Sequence, residues 1–318
     1  MNLVFCGTPQ FAVPTLAEVV AAGFSVRLVV SQPDRPRGRG METFIAPVKE
    51  LAASLGLPIT QPEKIKNNQD FRAELLQAKP DAIIVVAYGR IIPPWMIQLP
   101  RLGNINLHAS LLPKYRGAAP IQWAIANGET VTGVTTMRID EGLDTGDILL
   151  QREVSILADD TAVTLSPRLA DVGAKLMVET LRGLEAGELT PKPQDDSLAT
   201  LAPLLKKEDG AIEFRRAAAE IRNRLRGFQP WPGAYTSFRG KNLNLWEARA
   251  VEDTRDNLLP SALKVEGEKL LVGGGGGTVL EIVELQLEGK KRMSARDFVN
   301  GYRPASGEQL GAAFETRG

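Results

Sequence analysis

The chain has 318 residues but only one cysteine and one histidine, and aromatic residues make up just 6% of it. A lone cysteine, Cys6, excludes an intrachain disulfide and any cysteine-cluster metal site. It sits in the apolar run Leu3-Val-Phe-Cys6, where a small core residue is expected rather than a nucleophile. No apolar run approaches the ~18–20 residues that a membrane-spanning helix needs, so no membrane partner is expected. Strand signals start almost at the first residue and leave no room for a signal or transit peptide, so a cytoplasmic location is expected. Excess charge is missing too: 38 Lys+Arg balance 38 Asp+Glu, and nothing global advertises a polyanion partner. Lastly, Gly7-Thr-Pro9 follows the first strand signal where a dinucleotide fold would carry Gly-x-Gly-x-x-Gly. Without that fingerprint a nicotinamide dehydrogenase is disfavoured.

What is present is an ordinary soluble composition, 43% hydrophobic and 24% charged, in a chain long enough for two domains. Strands are predicted over Leu3–Cys6, Ser25–Ser31, Pro58–Gln61, Asp81–Tyr88 and around His108. Between them fall helices over Pro9–Ala22, Pro47–Leu55 and Asp70–Ala78, with another over Ala118–Ala126. That alternation predicts an α/β fold with a doubly wound, mostly parallel sheet of Rossmann-like type. Thr132–Ile139 and Asp147–Ile156 add two strands, and a long amphipathic helix runs from about Thr161 to Leu184. Gly187–Leu205, rich in Pro, Asp and Thr, reads as a linker. Beyond it, short strands near Ala234–Phe238, Leu243–Ala250, Ala262–Glu266, Lys269–Val272 and Thr278–Leu287 have the spacing of a small OB-like β-barrel. The boundaries this implies are 1–188 for the α/β domain, 189–205 for the linker and 206–318 for the C-terminal barrel domain. Gly273–Gly277 reads as a flexible hairpin loop with no binding role, since no Lys-Ser/Thr follows to make a phosphate loop.

Charge is divided unevenly along the chain. Residues 1–205 carry 19 Lys+Arg against 22 Asp+Glu, whereas 206–318 carry 19 against 16. A basic helix at about Arg216–Gly227 places Ile221, Leu225 and Phe228 on one face and Arg215, Arg222 and Arg226 on another. Such a patch suits an anionic partner or a plain solvated face, and composition alone favours neither.

The histidine lies in Gly103-Asn-Ile-Asn-Leu-His-Ala-Ser-Leu-Leu-Pro-Lys-Tyr-Arg-Gly117. Along a strand, Asn104, Asn106, His108 and Ser110 share one face, and Ile105, Leu107, Ala109 and Leu111 share the other. Buried strands of parallel sheets normally read apolar on both faces. A column of polar side chains needs a specific polar environment, so this face is expected to open into a cleft at the carboxyl end of the strand. Tyr88 and Gly89, ending another strand, are expected to line the same cleft.

Four stretches carry a family resemblance: Phe5-Cys-Gly-Thr-Pro-Gln-Phe-Ala-Val-Pro14, Ser31-Gln-Pro-Asp-Arg-Pro-Arg-Gly-Arg-Gly40, Asn106 through Gln122 with its Ser-Leu-Leu-Pro turn, and Gly142-Leu-Asp-Thr-Gly146. With Ala202-Pro-Leu-Leu-Lys-Lys-Glu-Asp-Gly210 and Phe228-Gln-Pro-Trp-Pro-Gly233, they make the chain resemble the methionyl-tRNA formyltransferases from residue 1 to about 305. The Asn-x-His…Asp core belongs to the wider superfamily that uses 10-formyltetrahydrofolate, so it speaks for the chemistry. The arginine loop and the Lys-Lys-Glu-Asp-Gly segment speak for the acceptor.

The resemblance implies formyl transfer from 10-formyltetrahydrofolate to the α-amino group of methionylated initiator tRNA, with no metal, by a protein expected to be a monomer. An amino-sugar N-formyltransferase using the same donor is the alternative. Asn106 is the expected oxyanion donor and His108 the group that assists with charge and protons. Asp144, in its glycine-flanked loop, would orient His108, hold it protonated or take the amine proton through water. The family's folate-binding turn falls on Ser110, Leu111, Leu112 and Pro113. Its tRNA-recognising insertion falls on Arg35, Arg37 and Arg39, and Arg222 and Arg226 of the basic helix form a second candidate surface. Met41-Glu-Thr-Phe-Ile45 departs from the family pattern, which carries further lysines there.

Overall fold

Leu3–Cys6 and Ala82–Val86 are unbroken apolar runs, the pattern of strands covered on both faces, and both are fully buried. In the computed structural model, which describes residues 1–37, 42–251 and 258–311, they pair in parallel at the centre of a seven-stranded sheet. In chain order the elements are β1 (Asn2–Gly7), α1 (Val13–Ala21), β2 (Ser25–Val30), β3 (Arg35–Arg37), β4 (Glu42–Phe44), α2 (Pro47–Ser54), β5 (Ile59–Thr60), α3 (Gln69–Ala78), β6 (Ala82–Val86) and α4 (Pro94–Ile97). They continue with β7 (Asn104–His108), α5 (Pro120–Ala126), β8 (Val131–Arg138), β9 (Ile148–Ser155) and α6 (Ala162–Ala186). The sheet order is β5-β2-β1-β6-β7-β8-β9. Strands β5 to β7 run parallel; β8 is antiparallel to β7 and β9 to β8. From β1 the chain moves outward to β2 and β5, then returns to β6 on the other side of β1. The carboxyl ends of β1 and β6 therefore flank the switch point, where open α/β sheets bind ligands, and β7 ends beside them.

Local chemistry accounts for the helices. Pro47 opens α2 at a position where a helix needs no N–H. Asn68 caps α3 by accepting from the Phe71 N–H at 3.0 Å, and Phe71 and Leu75, one turn apart, turn into the core. One departure concerns the arginine segment. It was expected to be a loop, but its flanks pair as a hairpin, Arg35 opposite Phe44 and Arg37 opposite Glu42. The four-residue α4 was not anticipated either. Among the described residues no helix is long and apolar enough to cross a membrane.

The chain divides into two compact units: Met1–Pro120 with Val131–Ser155 and Ser166–Pro203, and Ile121–Thr130 with Ile156–Leu165 and Leu204–Gly318. The second contains α7 (Ala218–Gly227), β10 (Ala234–Phe238), β11 (Lys241–Val251), β12 (Leu263–Glu266), β13 (Lys269–Gly273), β14 (Val279–Leu287), β15 (Met293–Ser294) and α8 (Ala295–Tyr302). The five expected strands pair antiparallel in the order β10-β11-β14-β13-β12, and β15 adds to β14. Register shifts between Leu245 and Ala248 bend β11, as a curling sheet requires. Leu243, Leu245, Leu270, Leu280, Ile282 and Phe298 fill its core.

The glycine run corrects the expectation of a flexible loop. It does join β13 to β14, but it is packed tightly: the Gly275 N–H donates to the Arg216 carbonyl at 2.7 Å. A Cβ on Gly275 would meet the Arg215 carbonyl oxygen at 1.8 Å. Glycine is needed there for close backbone approach, not for slack.

Candidate active site

The four polar residues predicted to share a face of β7 have different roles. Asn104 is buried, and its amide donates to the carbonyls of Met96 and Ile97 at 2.9 Å each. Those are the last carbonyls of α4, so Asn104 is a structural brace and does not open into a cleft as expected. Asn106, one pleat further, is half-buried, and its side-chain amide has no partner among the described residues. His108 ends the strand at 6% exposure. Ser110 is fully buried, and its hydroxyl donates to the Lys114 carbonyl at 2.6 Å, closing the turn after β7.

The imidazole is held at one nitrogen. His108 Nε2 lies 2.8 Å from the Tyr115 carbonyl oxygen. A carbonyl only accepts, so Nε2 carries a proton, and Nδ1 is the nitrogen left to take or release one. Nδ1 faces Asp144 Oδ2 at 3.7 Å, ion-pair range but longer than a direct hydrogen bond. The same oxygen accepts from the Gly117 N–H at 2.9 Å, which aims the carboxylate. Both Tyr115 (φ +63°) and Asp144 (φ +55°) adopt left-handed backbone. For a bulky residue such as Tyr115 this conformation is costly and persists only where surrounding bonds enforce it. Asp140 braces the loop that carries Asp144, its carboxylate accepting from Gly142 N–H and from Thr145 Oγ1 at 2.8 Å.

The structure thus brings Asn106, His108 and Asp144 to the carboxyl end of β7. The Ser110–Pro113 turn lies beside them and is fastened from below. Thr135 Oγ1 donates to the Ser110 carbonyl at 2.7 Å and accepts from the Leu112 N–H at 3.1 Å. Gln151 Nε2 donates to the Leu112 carbonyl at 2.9 Å. Leu112 is buried with Ser110, so Leu111 and Pro113 are the side chains of the turn with surface to offer.

Tyr88 departs from its expected place in the cleft. Its ring packs with Val4, Cys6, Val85 and Met96 in the core, while Ala87 and Gly89, both at positive φ, are the exposed positions after β6. Burial pushes the Tyr88 phenol and the Cys6 thiol above their ordinary ranges, in keeping with Cys6 as an unreactive core residue.

Arg35 and Arg37 lie in β3, and Arg39 falls outside the described residues. The two arginines of α7 assigned to RNA, Arg222 and Arg226, have other partners than solvent. Arg222 pairs with Asp159 at 2.7 Å and donates to the Ala158 carbonyl. Arg226, on the face expected to offer a second surface to RNA, is only 9% exposed and donates to the Asp160 carbonyl and to Asn223 Oδ1. The segment Leu157–Asp160 covers that face, and burial lowers the Arg226 pKa. Sequence reasoning missed Tyr115 and Gly117, which act through their backbone, and Arg116, Gln194 and Thr200, whose partners lie far away in the chain.

Comparison with known proteins bears on what this arrangement belongs to. Residues 1–181 match the family model described as formyl transferase, and residues 204–303 match that of the formyl transferase C-terminal domain. A doubly wound sheet ending in an amide, an imidazole and a carboxylate, followed by an antiparallel C-terminal sheet, is therefore that of a formyl transferase. A crystal structure of an N-formyltransferase from Helicobacter canadensis, in complex with folinic acid and dTDP-3-aminofucose, shares the fold at TM-score 0.66. It is 18% identical and covers 89% of this chain and 98% of its own. Among the relatives, two match over nearly the full length of both chains. The methionyl-tRNA formyltransferase of Koribacter versatilis is 66% identical over 98% of this chain and 99% of its own. That of Acidobacterium capsulatum is 62% identical over 98% and 100%. The chain belongs to the methionyl-tRNA formyltransferase family.

Proposed function

We propose that the chain transfers a formyl group from 10-formyltetrahydrofolate to the α-amino group of methionylated initiator tRNA, for translation initiation. The observation that carries the chemistry is the meeting of an uncommitted amide, Asn106, with the His108–Asp144 pair at the end of β7. This donor set suits a carbonyl-bearing co-substrate, because an amide N–H without a partner is what a developing oxyanion needs. The folate would supply the formyl group, carried on N10, the amine nitrogen outside its ring system, which leaves with the folate.

The chain's residues divide the work. A free α-amino group has a pKa of ~7.7–8.0, and esterification of the neighbouring carboxyl lowers it, so no powerful base is required. Asn106 donates to the carbonyl oxygen as negative charge gathers there. His108 Nδ1 and Asp144 Oδ2, facing each other, receive the proton the amine loses and pass it toward the departing nitrogen. Ser110–Pro113 and the exposed backbone at Ala87 and Gly89 would hold the folate. Arg35, Arg37 and Arg39 would meet the phosphates of the acceptor stem, while Arg222 and Arg226, expected as a second RNA surface, are taken up by Asp159 and the carbonyls of Ala158 and Asp160 and brace α7 instead. On this reading residues 1–188 form the formyltransferase domain, 189–205 the linker and 206–318 the tRNA-binding domain of a monomer working in the cytoplasm.

The assay is direct: purified protein, methionylated initiator tRNA and 10-formyltetrahydrofolate should give formyl-methionyl-tRNA. His108→Ala should keep the melting transition and lose ~10²–10⁴-fold in turnover. No formyl transfer to tRNA, with turnover on a nucleotide-linked amino sugar instead, would replace this reading with the sugar one.

A further inference from the structure

The segment that reads as a linker is bonded closely to the catalytic loops. Lys192 exchanges two backbone hydrogen bonds with Ile148, each 2.8 Å, anchoring the segment at the start of β9. Two residues on, Gln194 Nε2 donates to the carbonyls of Asp144 and Gly146 at 2.8 and 2.7 Å. Its Oε1 accepts two N–H groups of Arg116, at 3.0 and 2.8 Å. A guanidinium only donates, so Arg116 fixes which end of the Gln194 amide faces the Asp144 loop. Arg116 is itself held by Asp196 at 2.7 Å.

Further along, Thr200 takes hold of the other loop. Its Oγ1 accepts from the Tyr115 N–H at 2.8 Å, and its carbonyl accepts from the Arg116 N–H at 2.8 Å. The Arg116 carbonyl then accepts from the Ala202 N–H at 2.7 Å. Tyr115 is the residue whose carbonyl holds His108 Nε2, and Asp144 is the residue facing Nδ1. One stretch of chain therefore grips the partners of both imidazole nitrogens. Tyr115 stands in left-handed backbone that bulky side chains avoid, so external bonds must supply there what local preference does not.

We infer that residues 192–202 are a positioning strap for the catalytic pair, with Gln194 setting the Asp144 loop and Thr200 setting the Tyr115 turn, so that the His108–Asp144 geometry depends on a segment that touches neither side chain. Gln194 and Thr200 are positioning residues in this account. The inference rests on the catalytic reading of His108 and Asp144 given above.

Three variants test it. Gln194→Glu keeps the acceptor for Arg116 and removes both N–H donors. Thr200→Val keeps the shape and removes the acceptor, and serves alone if Gln194→Glu fails to fold. Thr200→Ser keeps the hydroxyl. Misplacing a reacting group by about 1 Å can cost ~10²-fold, so kcat should fall roughly 10- to 100-fold in the first two, with KM for donor and tRNA kept within about threefold. Thr200→Ser should restore kcat. Because the chain has one histidine, its imidazole NMR signal is unambiguous, and it should shift in Gln194→Glu and Thr200→Val but not in Thr200→Ser. Unchanged kcat in Thr200→Val, or a loss confined to KM, overturns the strap. His108→Ala run alongside separates the two ideas. If it is inactive while the strap variants work normally, the strap alone fails. If it remains active, the catalytic reading fails, and an unmoved imidazole signal in the strap variants would dispose of the strap as well.

Discussion

Asn104 and Asn106 stand two positions apart on one strand, and the chain offers both the same amide. The difference lies in what each amide meets. Asn104 meets two carbonyls at the end of α4, 2.9 Å away, in a buried site. Asn106 meets none among the described residues and sits half-buried beside His108. Two opposite outcomes follow. Asn104→Ala should lower stability by ~1–3 kcal/mol, since it strands two buried acceptors, and leave kcat of the folded fraction nearly intact. Asn106→Ala should melt at the wild-type temperature and lose ~10²–10³-fold in kcat, the usual effect of deleting an oxyanion donor. Melting curves and single-turnover rates on the same two proteins check both. Equal effects on stability and rate in both variants would erase the distinction.

At the level of elements, helix ends and loop contacts separate what a sequence can show from what only a fold can. The apolar runs of β1 and β6, the Pro-opened α2 and the Asn68-capped α3 follow from local rules, and so does the apolar stripe of α7. The start of α7 does not. Ala217 offers no capping side chain; the Ala218 N–H is instead satisfied by Thr278 Oγ1 at 2.8 Å, from 60 residues away. That threonine follows the glycine run, whose close packing against Arg215 and Arg216 positions it. Local pattern read the glycines as slack because the backbone they approach is distant in sequence. The strap at 192–202 reads as a linker for the same reason: its side-chain bonds to the Tyr115 turn and the Asp144 loop span 48 to 85 residues, and the rest lie between backbone groups with no side-chain signature. The place of the candidate site was legible because a polar column in a central strand contradicts its surroundings, and the glycine-flanked loop marked Asp144 as a residue free to approach it. Thr278→Val should therefore destabilise the protein by ~1–2 kcal/mol, as loss of an N-cap does, although Thr278 lies 60 residues from the start of α7 in sequence. A melting shift no larger than that of a surface threonine would show that α7 does not need this cap.

For the molecule as a whole, charge must be weighed by where it is free to act. The 38 basic and 38 acidic residues cancel, so binding of a polyanion depends on local surfaces rather than net attraction. The structure sorts the arginines assigned to RNA into two kinds. Arg222 and Arg226 of α7 hold Asp159 and the carbonyls of Ala158 and Asp160, and Arg226 is nearly enclosed. Arg35 and Arg37 belong to the β3–β4 hairpin, a two-stranded sheet of its own. Each phosphate neutralised releases counterions, so log affinity for tRNA should fall linearly with log salt, by ~0.7–0.9 for every phosphate met. KM for the folate donor should respond far less. Arg37→Gln should weaken tRNA binding and reduce the salt slope by about one. Arg226→Gln should leave the slope almost unchanged and act on the melting temperature instead, because its guanidinium braces the Leu157–Asp160 segment. A full unit lost from the slope in Arg226→Gln, with stability intact, would move α7 from scaffold to RNA contact.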